Sequence, residues 1–337
     1  SLSAWFLQWC GDDAMRTSPA NSCGHCGLEC EVAAIGVRRQ IDLLLAVARM
    51  PWGVRLQCGL MACMRWLWRA EYDGTGDMWS DKDCAHWRRQ IADQYGLKAD
   101  ITGLDGEFDL NAAVFVDGSF HAVLKVMRPD CTADFIEMQI AALDHLAAQK
   151  DHLPIPRCIL RGDGAAYGCL PDREGRDRLV WLVTALPGHQ LGTVQPHTPS
   201  LMYEIGSALG ALTRSLKGFS HAKLVRPFKW HPLTPHWAFE ALEDLSPDHL
   251  ATGDGQEQKL KSILNDHFQY FKDKCESDLL GLESHPVHCD GNDYNLLVTP
   301  AEDGPSLSGI IDFGDMTRAP VVCDVATAAS YLVLTRN

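Results

Sequence analysis

The sequence predicts an α+β protein in which a small β-rich part precedes a helical part, and three observations predict it. Asp117-Gly118 stands between apolar runs at 113–116 and 120–126, and this dipeptide tolerates the positive φ angles that a tight hairpin needs. Beyond residue 199 apolar side chains recur at helical spacing, in segments at about 200–216, 235–245 and 257–280. The 337 residues are 46% hydrophobic and 22% charged, enough to bury the core of one large or two medium domains, and unlike a collagen, a disordered tail or a coiled coil.

Taken in order, residues 83–95 predict a helix closed by Gly96, because glycine takes the left-handed conformation at a helix C-terminus without steric cost. The hairpin follows, and its second strand carries Lys125. Apolar residues at 136, 140, 143 and 146 predict a helix over 132–149, after which Pro154 and Pro156 force an extended chain. Residues 178–184 read as a further strand ending at Leu186-Pro187-Gly188, a turn able to join two lobes. A last helix is expected over 321–334, and the sequence shows no internal repeat.

Charge and cysteine usage narrow the partners. Acidic residues outnumber basic ones by 44 to 30, a net charge of -14, which opposes a general affinity for nucleic acid or anionic membranes. Arginines 38, 39, 49, 55 and 65 interrupt the most apolar region, so no run reaches the ~18 apolar residues of a membrane span. Without a signal pattern at the N-terminus, and with scattered cysteines suited to free thiols, a cytoplasmic protein is expected.

Seven of the thirteen cysteines and seven of the ten tryptophans fall within the first 87 residues. Cys23, His25, Cys26 and Cys30 offer zinc a set of soft ligands. Against a zinc knuckle, the ligands are bunched without the loop that usually brings two pairs around a tetrahedral ion. The alternative is that residues 1–77 are not native to the folded protein and that an organised domain begins near Met78.

The chemistry concentrates near the C-terminus, where His288-Cys289-Asp290 and Asn295 precede Asp312-Phe313-Gly314-Asp315. Phosphoryl transfer needs a carboxylate to take the acceptor's proton and cations to neutralise phosphate oxygens. The spacing H-x-D-x-x-x-x-N followed by D-F-G matches the catalytic and metal-binding loops of kinases, with Cys289 at the usual arginine position. Lys125 lies upstream on a strand, where the same pattern places a phosphate-contacting lysine.

On these motifs, residues 81–337 resemble the aminoglycoside phosphotransferase and choline kinase-like family, and Asn292 to Asn295 with Ile310 to Met316 look most like its hydroxylysine kinase branch. The resemblance implies a two-lobed protein-kinase-like fold, with an N-lobe over 78–186 and a helical C-lobe over 187–337. It implies Asp290 as catalytic base, and Asn295 and Asp312 as ligands of Mg2+. Lys125, Gln139, Thr184 and Leu186 would contact ATP or GTP, with His288, Asp315 and Asp324 in support. The activity implied is transfer of a γ-phosphoryl group to a hydroxyl of a small amino compound, such as a hydroxylysine-like molecule, an amino-alcohol or an aminoglycoside. The absence of an Ala-Pro-Glu element after Asp315 fits a small acceptor rather than a peptide.

The chain also departs from the family pattern. Residues 103–111 replace the glycine-rich phosphate loop, and Gln139 stands where a carboxylate is expected to pair with Lys125, Glu137 lying on the opposite helix face. The chain ends soon after the Asp324 helix, so a shortened C-lobe is expected, and an impaired, nucleotide-binding module is the alternative function. Residues 87–337 carry a net charge of -12, which would favour a cationic acceptor or serve only as a solubilising surface. Asp293 and Asp315 are the candidates for an ammonium contact, or for turn support. Trp230 and Trp237 read as core residues or as pocket lining.

Overall fold

The computed structural model describes residues 79–234 and 256–334, apart from 105, 107 and 303. The candidate zinc ligands, the segment 1–77, the helix expected at 235–245 and Trp237 lie outside the described residues.

Helix α1 (Asp81–Tyr95) begins two residues before its expected start because Ser80 and Asp83 form a reciprocal cap: Ser80 Oγ accepts the Asp83 N–H at 3.2 Å and Asp83 Oδ2 accepts the Ser80 N–H at 3.0 Å. Gly96, at φ +67°, closes it by donating to the Ala92 carbonyl. Strands β1 (Asp100–Leu104), β2 (Leu110–Val116) and β3 (Ser119–Val126) follow. Asp117 and Gly118 turn the β2–β3 hairpin with φ of 49° and 77°, the doubly positive geometry that the sequence anticipated. β1, by contrast, carries Thr102 and two glycine-flanked positions with little apolar alternation and was not anticipated.

Helix α2 (Ala133–Ala147) buries Phe135, Ile136, Met138, Gln139, Ala142, Leu143 and Leu146, one stripe at helical spacing. Fully burying a side chain such as Ile136 contributes about 1.5–3 kcal/mol. Strands β4 (Cys158–Ile159), β5 (Tyr167–Pro171) and β6 (Asp177–Thr184) complete an antiparallel sheet of order β1-β2-β3-β6-β4, with β5 also on β6.

The helical part opens with β7 (His189–Gln190) and α3 (Pro199–Ser215), the latter capped by Thr198 Oγ1 accepting the Leu201 N–H at 3.2 Å. The helix expected over 257–280 is two, α4 (Gln256–Lys274) and α5 (Glu276–Leu280), broken at Cys275. Then come β8 (Ser284–Val287), β9 (Leu296–Thr299), β10 (Ser306–Ile310), β11 (Thr317–Pro320) and α6 (Val321–Leu334). They form the small sheets β10-β9-β7 and β11-β8. Among the described residues no helix is long and apolar enough to cross a membrane.

Two apolar layers sandwich the large sheet. Ala122, Leu124, Val126, Val180 and Leu182 pack with Trp87 and Ile91 of α1. Trp181 and Val183 face the other way, into a core shared by α2, α3, Leu296, Ile310 and Phe313. Strand alternation therefore puts Lys125 on the α2 face, between Leu124 and Val126 of the α1 face. A register slip of one residue would turn Lys125 toward α1 and remove it from the site.

Candidate active site

Strand pairing in the helical part brings the two sequence motifs together. Val287 at the end of β8 pairs with Thr317 of β11, and Leu296 of β9 pairs with Ile310 of β10. The loop 288–295 and the loop 311–316 therefore start and finish side by side, joined by the Ile311 N–H donating to the Asn295 carbonyl at 2.9 Å.

Within the first loop, Asp290 is gripped by two side-chain amides. Asn292 Nδ2 donates to its Oδ1 at 2.6 Å, and Asn295 Nδ2 donates to its Oδ2 at 2.5 Å. The Asn295 amide thus has its oxygen directed away from Asp290. The bend that aims Asp290 uses Cys289 at φ +66°, a conformation that costs a non-glycine residue roughly 1–2 kcal/mol. Asp324 on α6 offsets that cost: its Oδ1 accepts the Cys289 N–H at 2.8 Å, and its Oδ2 accepts the Thr213 hydroxyl of α3 at 3.0 Å. The Cys289 side chain is buried and burial pushes its thiol well up, so it supplies no charge.

His288 is fully buried, its Nδ1 accepting the Asp290 N–H at 3.3 Å and its ring meeting Phe313 edge-on at 4.7 Å between centroids. Burial holds the imidazole below its ordinary pKa, against the pull of Asp324 and Asp312, so it spaces the two loops as a neutral ring.

Asp312 stands at φ +61°, its Oδ1 accepting the Gly314 N–H at 3.1 Å and its Oδ2 facing Lys125 Nζ at 3.4 Å. Lys125 holds its carboxyl below the usual range, burial opposing. Asp312 retains 42% side-chain exposure, enough to meet a ligand. Arg226 fastens the outer side of this loop: Nη2 donates to the Gly314 carbonyl at 2.5 Å and Nη1 to the Met316 carbonyl at 2.6 Å. Its guanidinium lies over Phe135 at 5.1 Å and Phe228 at 4.5 Å.

The sheet side faces these loops across a cavity of about 100 Å³ lined by Phe108, Asp109, Asn111, Lys125, Met127, Arg128, Phe135, Gln139, Asp290, Asp312, Gly314 and Asp315. That is smaller than the ~300–1,000 Å³ of sites enclosing a whole small molecule, so the cavity fits the reacting end of a ligand. Gln139 is buried, its amide donating back to the Phe135 carbonyl at 3.4 Å. Glu137 is turned to Tyr167, whose hydroxyl donates to it at 2.7 Å. Lys125 therefore meets a carboxylate at Asp312, across the cleft, rather than on α2.

Of the residues named from sequence, Lys125, Gln139, Asp290, Asp312 and Asp315 line one cavity, Asn295 holds Asp290, and His288 and Asp324 support the loops. The structure does not bring Thr184, Leu186 or Asp293 to that lining. Thr184 Oγ1 accepts the Arg157 N–H at 2.9 Å, binding β6 to the chain before β4. Leu186 packs over Gly309 of β10. Asp293, expected as an ammonium contact, is 2% exposed and packs against Gly192, whose N–H donates to its carbonyl at 2.9 Å. Of the segment that replaces the glycine-rich loop, Gly103 and Leu104 are β1 residues paired with Ala112 and Asn111. Arg226, Arg128, Asp109 and Thr213 escaped sequence reasoning because each acts through partners distant in the chain. Asn292 was signalled by its place in the loop motif.

The phosphotransferase enzyme family (APH) matches residues 100–336. The chain belongs to this family. Hydroxylysine kinase of Bos taurus is 29% identical over 231 residues, 66% of this chain and 59% of that protein. Hydroxylysine kinase of Mus musculus is 29% identical over 232 residues, 65% and 58% of the two chains. The chain thus spans a little under three fifths of the length of these curated relatives. Among solved structures, a microcompartment-associated aminopropanol kinase superposes with a TM-score of 0.52 at 16% identity, covering 75% of this chain and 80% of that one. Amicoumacin kinase in complex with AMP-PNP, Ca2+ and Ami superposes at 0.51 and 13% identity, covering 79% and 77%. The fold is accordingly the α+β, two-lobed kinase-like one expected from the motifs.

Proposed function

We propose that the protein transfers the γ-phosphoryl group of ATP or GTP to a hydroxyl of a small amino compound, its N-lobe spanning 78–186 and its C-lobe 187–337. The observation that carries this reading is the convergence of Lys125, Asp290 and Asp312, drawn from three distant stretches of chain, on one cavity. Family membership and the hydroxylysine kinase relatives support an acceptor of hydroxylysine-like, amino-alcohol or aminoglycoside type.

Asp290 is the base. Held at both oxygens by Asn292 and Asn295, its carboxylate is fixed in orientation before substrate arrives, which lowers the entropic part of the barrier. It takes the acceptor's hydroxyl proton as that oxygen attacks the γ-phosphorus in line, while the bond from phosphorus to the β–γ bridging oxygen breaks and the nucleoside diphosphate leaves. Lys125 orients phosphate oxygens from the sheet side.

Asp312 and the Asn295 side-chain oxygen fit Mg2+, a hard cation that binds through one or two carboxylates together with substrate phosphates. Among the described residues no cluster of three or more His, Cys, Asp or Glu could hold a metal by itself. When bound, the ion neutralises charge on the phosphates. Asp315, on the cleft lining, is placed to meet an acceptor ammonium.

The experiment is transfer of labelled γ-phosphate from ATP and GTP, with magnesium, to hydroxylysine, ethanolamine, choline, homoserine and an aminoglycoside. Transfer that Asp290→Ala abolishes supports the reading. Nucleotide binding without transfer to any acceptor replaces it with a binding-only module.

A further inference from the structure

In a glycine-rich phosphate loop, backbone N–H groups converge on the anion. Among the described residues between β1 and β2, Gly106 instead faces polar groups of its own segment. A Cβ on Gly106 would lie 2.2 Å from the Asp109 carbonyl oxygen and 2.6 Å from Asn111 Nδ2, so the turn folds onto its own polar groups. Asp109 directs its carboxylate inward, Oδ1 accepting the Arg128 N–H at 2.7 Å. That bond fastens the chain just past β3 to the turn and fixes where the Arg128 side chain begins.

The side chain is fixed as well. Its guanidinium lies 5.6 Å from the centroid of Phe108, on the turn, and 5.7 Å from that of Phe135, on α2. Stacking on aromatic faces pre-organises a guanidinium without consuming its donors. Its ion pair is Nε to Asp130 at 3.2 Å, and Asp130 is 80% exposed, a solvent-screened contact. Among the described residues no hydrogen bond engages Nη1 or Nη2. The planar fork suited to bidentate phosphate recognition therefore stands on the cavity lining beside Lys125, with Asp290 and Asp312 opposite.

Charge makes the same point. The described cations on that lining are Lys125 and Arg128, against the carboxylates of Asp109, Asp290, Asp312 and Asp315. Lys125 already shares its charge with Asp312. A phosphate tail entering this acidic cavity needs a second cation on the sheet side, and Arg128 is the one held there.

Resting on the phosphoryl-transfer reading above, we infer that Arg128 binds the terminal phosphate oxygens of the nucleotide. A carboxylate on the acceptor is the other anion the same fork would accept. Its position favours phosphate, because Arg128 belongs to the wall that carries Lys125, whereas the acceptor hydroxyl must reach Asp290 on the opposite wall.

The test is calorimetric titration of the full chain with ATP and with adenosine, in magnesium, using wild type, Arg128→Ala and Phe108→Ala. Loss of a charge-assisted contact is expected to weaken ATP binding by about ten- to a hundredfold in Arg128→Ala, leaving adenosine binding unchanged. Phe108 is 53% exposed, so its removal spares the core. Loosening the stack in Phe108→Ala is expected to weaken ATP binding by about threefold or more, and this variant decides the matter if Arg128→Ala fails to fold by circular dichroism. ATP binding within about twofold of wild type in the folded variants, a shift of about 0.4 kcal/mol, would overturn the inference. It is overturned equally if only KM for carboxylate-bearing acceptors rises. A wild-type protein that binds no ATP sinks the phosphoryl-transfer reading itself, and this inference with it.

Discussion

The two walls of the cleft are built by different means. The loop wall, with Asp290, Asn295 and Asp312, keeps the family spacing and is tied by a dense local network: Asn292 and Asn295 on Asp290, Asp324 on Cys289, Arg226 on Gly314 and Met316. The sheet wall departs from the pattern expected from the sequence, with Gly106 set against Asp109 and Asn111 and a buried Gln139 where a carboxylate partner of Lys125 was expected. On the proposed mechanism, proton transfer tolerates little displacement of the base, which asks for the tighter network on the loop wall. Holding phosphate requires only positive charge in roughly the right place, and several arrangements of Lys and Arg supply it.

This contrast predicts a graded set of losses. The largest belongs to Asp290→Asn, which keeps the shape but removes the base and one of the two acceptors that Asn292 and Asn295 donate to. Turnover in the γ-phosphate transfer assay should fall by about 10²–10⁴-fold, with ATP affinity nearly unchanged. An equal loss in binding and turnover would show that Asp290 acts on nucleotide rather than on the acceptor.

Next comes Asp324→Ala, which leaves the buried Cys289 N–H without its acceptor at a positive φ. It should cost about 1–3 kcal/mol of stability, read as a lower denaturation midpoint, and should lower turnover more than nucleotide affinity. If stability falls while kcat holds, Asp324 braces α3 against α6 without aiming the loop.

Arg226→Met tests the outer brace of the metal loop. Loss of charged donors to two carbonyls should cost about 1.5–3 kcal/mol, and should raise the magnesium concentration needed for half-maximal nucleotide binding.

The pH dependence of stability comes from His288. Burial lowers its pKa in the folded state from 6.5, so below that value the unfolded chain binds a proton that the folded one refuses. Stability should therefore be level above about pH 6.5 and fall as pH drops toward 5. The urea midpoint followed over this range should lose part of that slope in His288→Gln, and an unchanged slope would assign the titration to other groups.

The smallest effect is expected on the sheet wall. Gln139→Glu gives Lys125 a carboxylate on its own lobe and should draw it from Asp312, changing magnesium–nucleotide affinity by no more than about fivefold, as a partly screened ion pair allows. A change of several hundredfold would mean that both walls are equally constrained.

Legibility followed the range of the interactions. The β2–β3 hairpin was readable because Asp117-Gly118 sets its own φ angles, and the end of α1 because Gly96 caps it locally, whereas the Ser80–Asp83 cap placed its start two residues earlier than expected. Gly103 and Leu104 gave no such signal, since β1 exists by pairing with β2. The break at Cys275 lay inside a continuous helical pattern. In the candidate site, motif spacing singled out Asp290, Asn295 and Asp312, of which Asp290 and Asp312 line one cavity and Asn295 donates to Asp290.

By itself, then, the sequence determined the α+β class and the family. Tertiary structure decided that Lys125 faces Asp312 rather than Glu137, that Asp293 is buried against Gly192, and that Arg128 and Arg226 flank Phe135 from distant segments. Periodicity and caps are properties of neighbouring residues, whereas the partner of a charge depends on strand register and on which helix packs against it. Those are set only when the whole core closes.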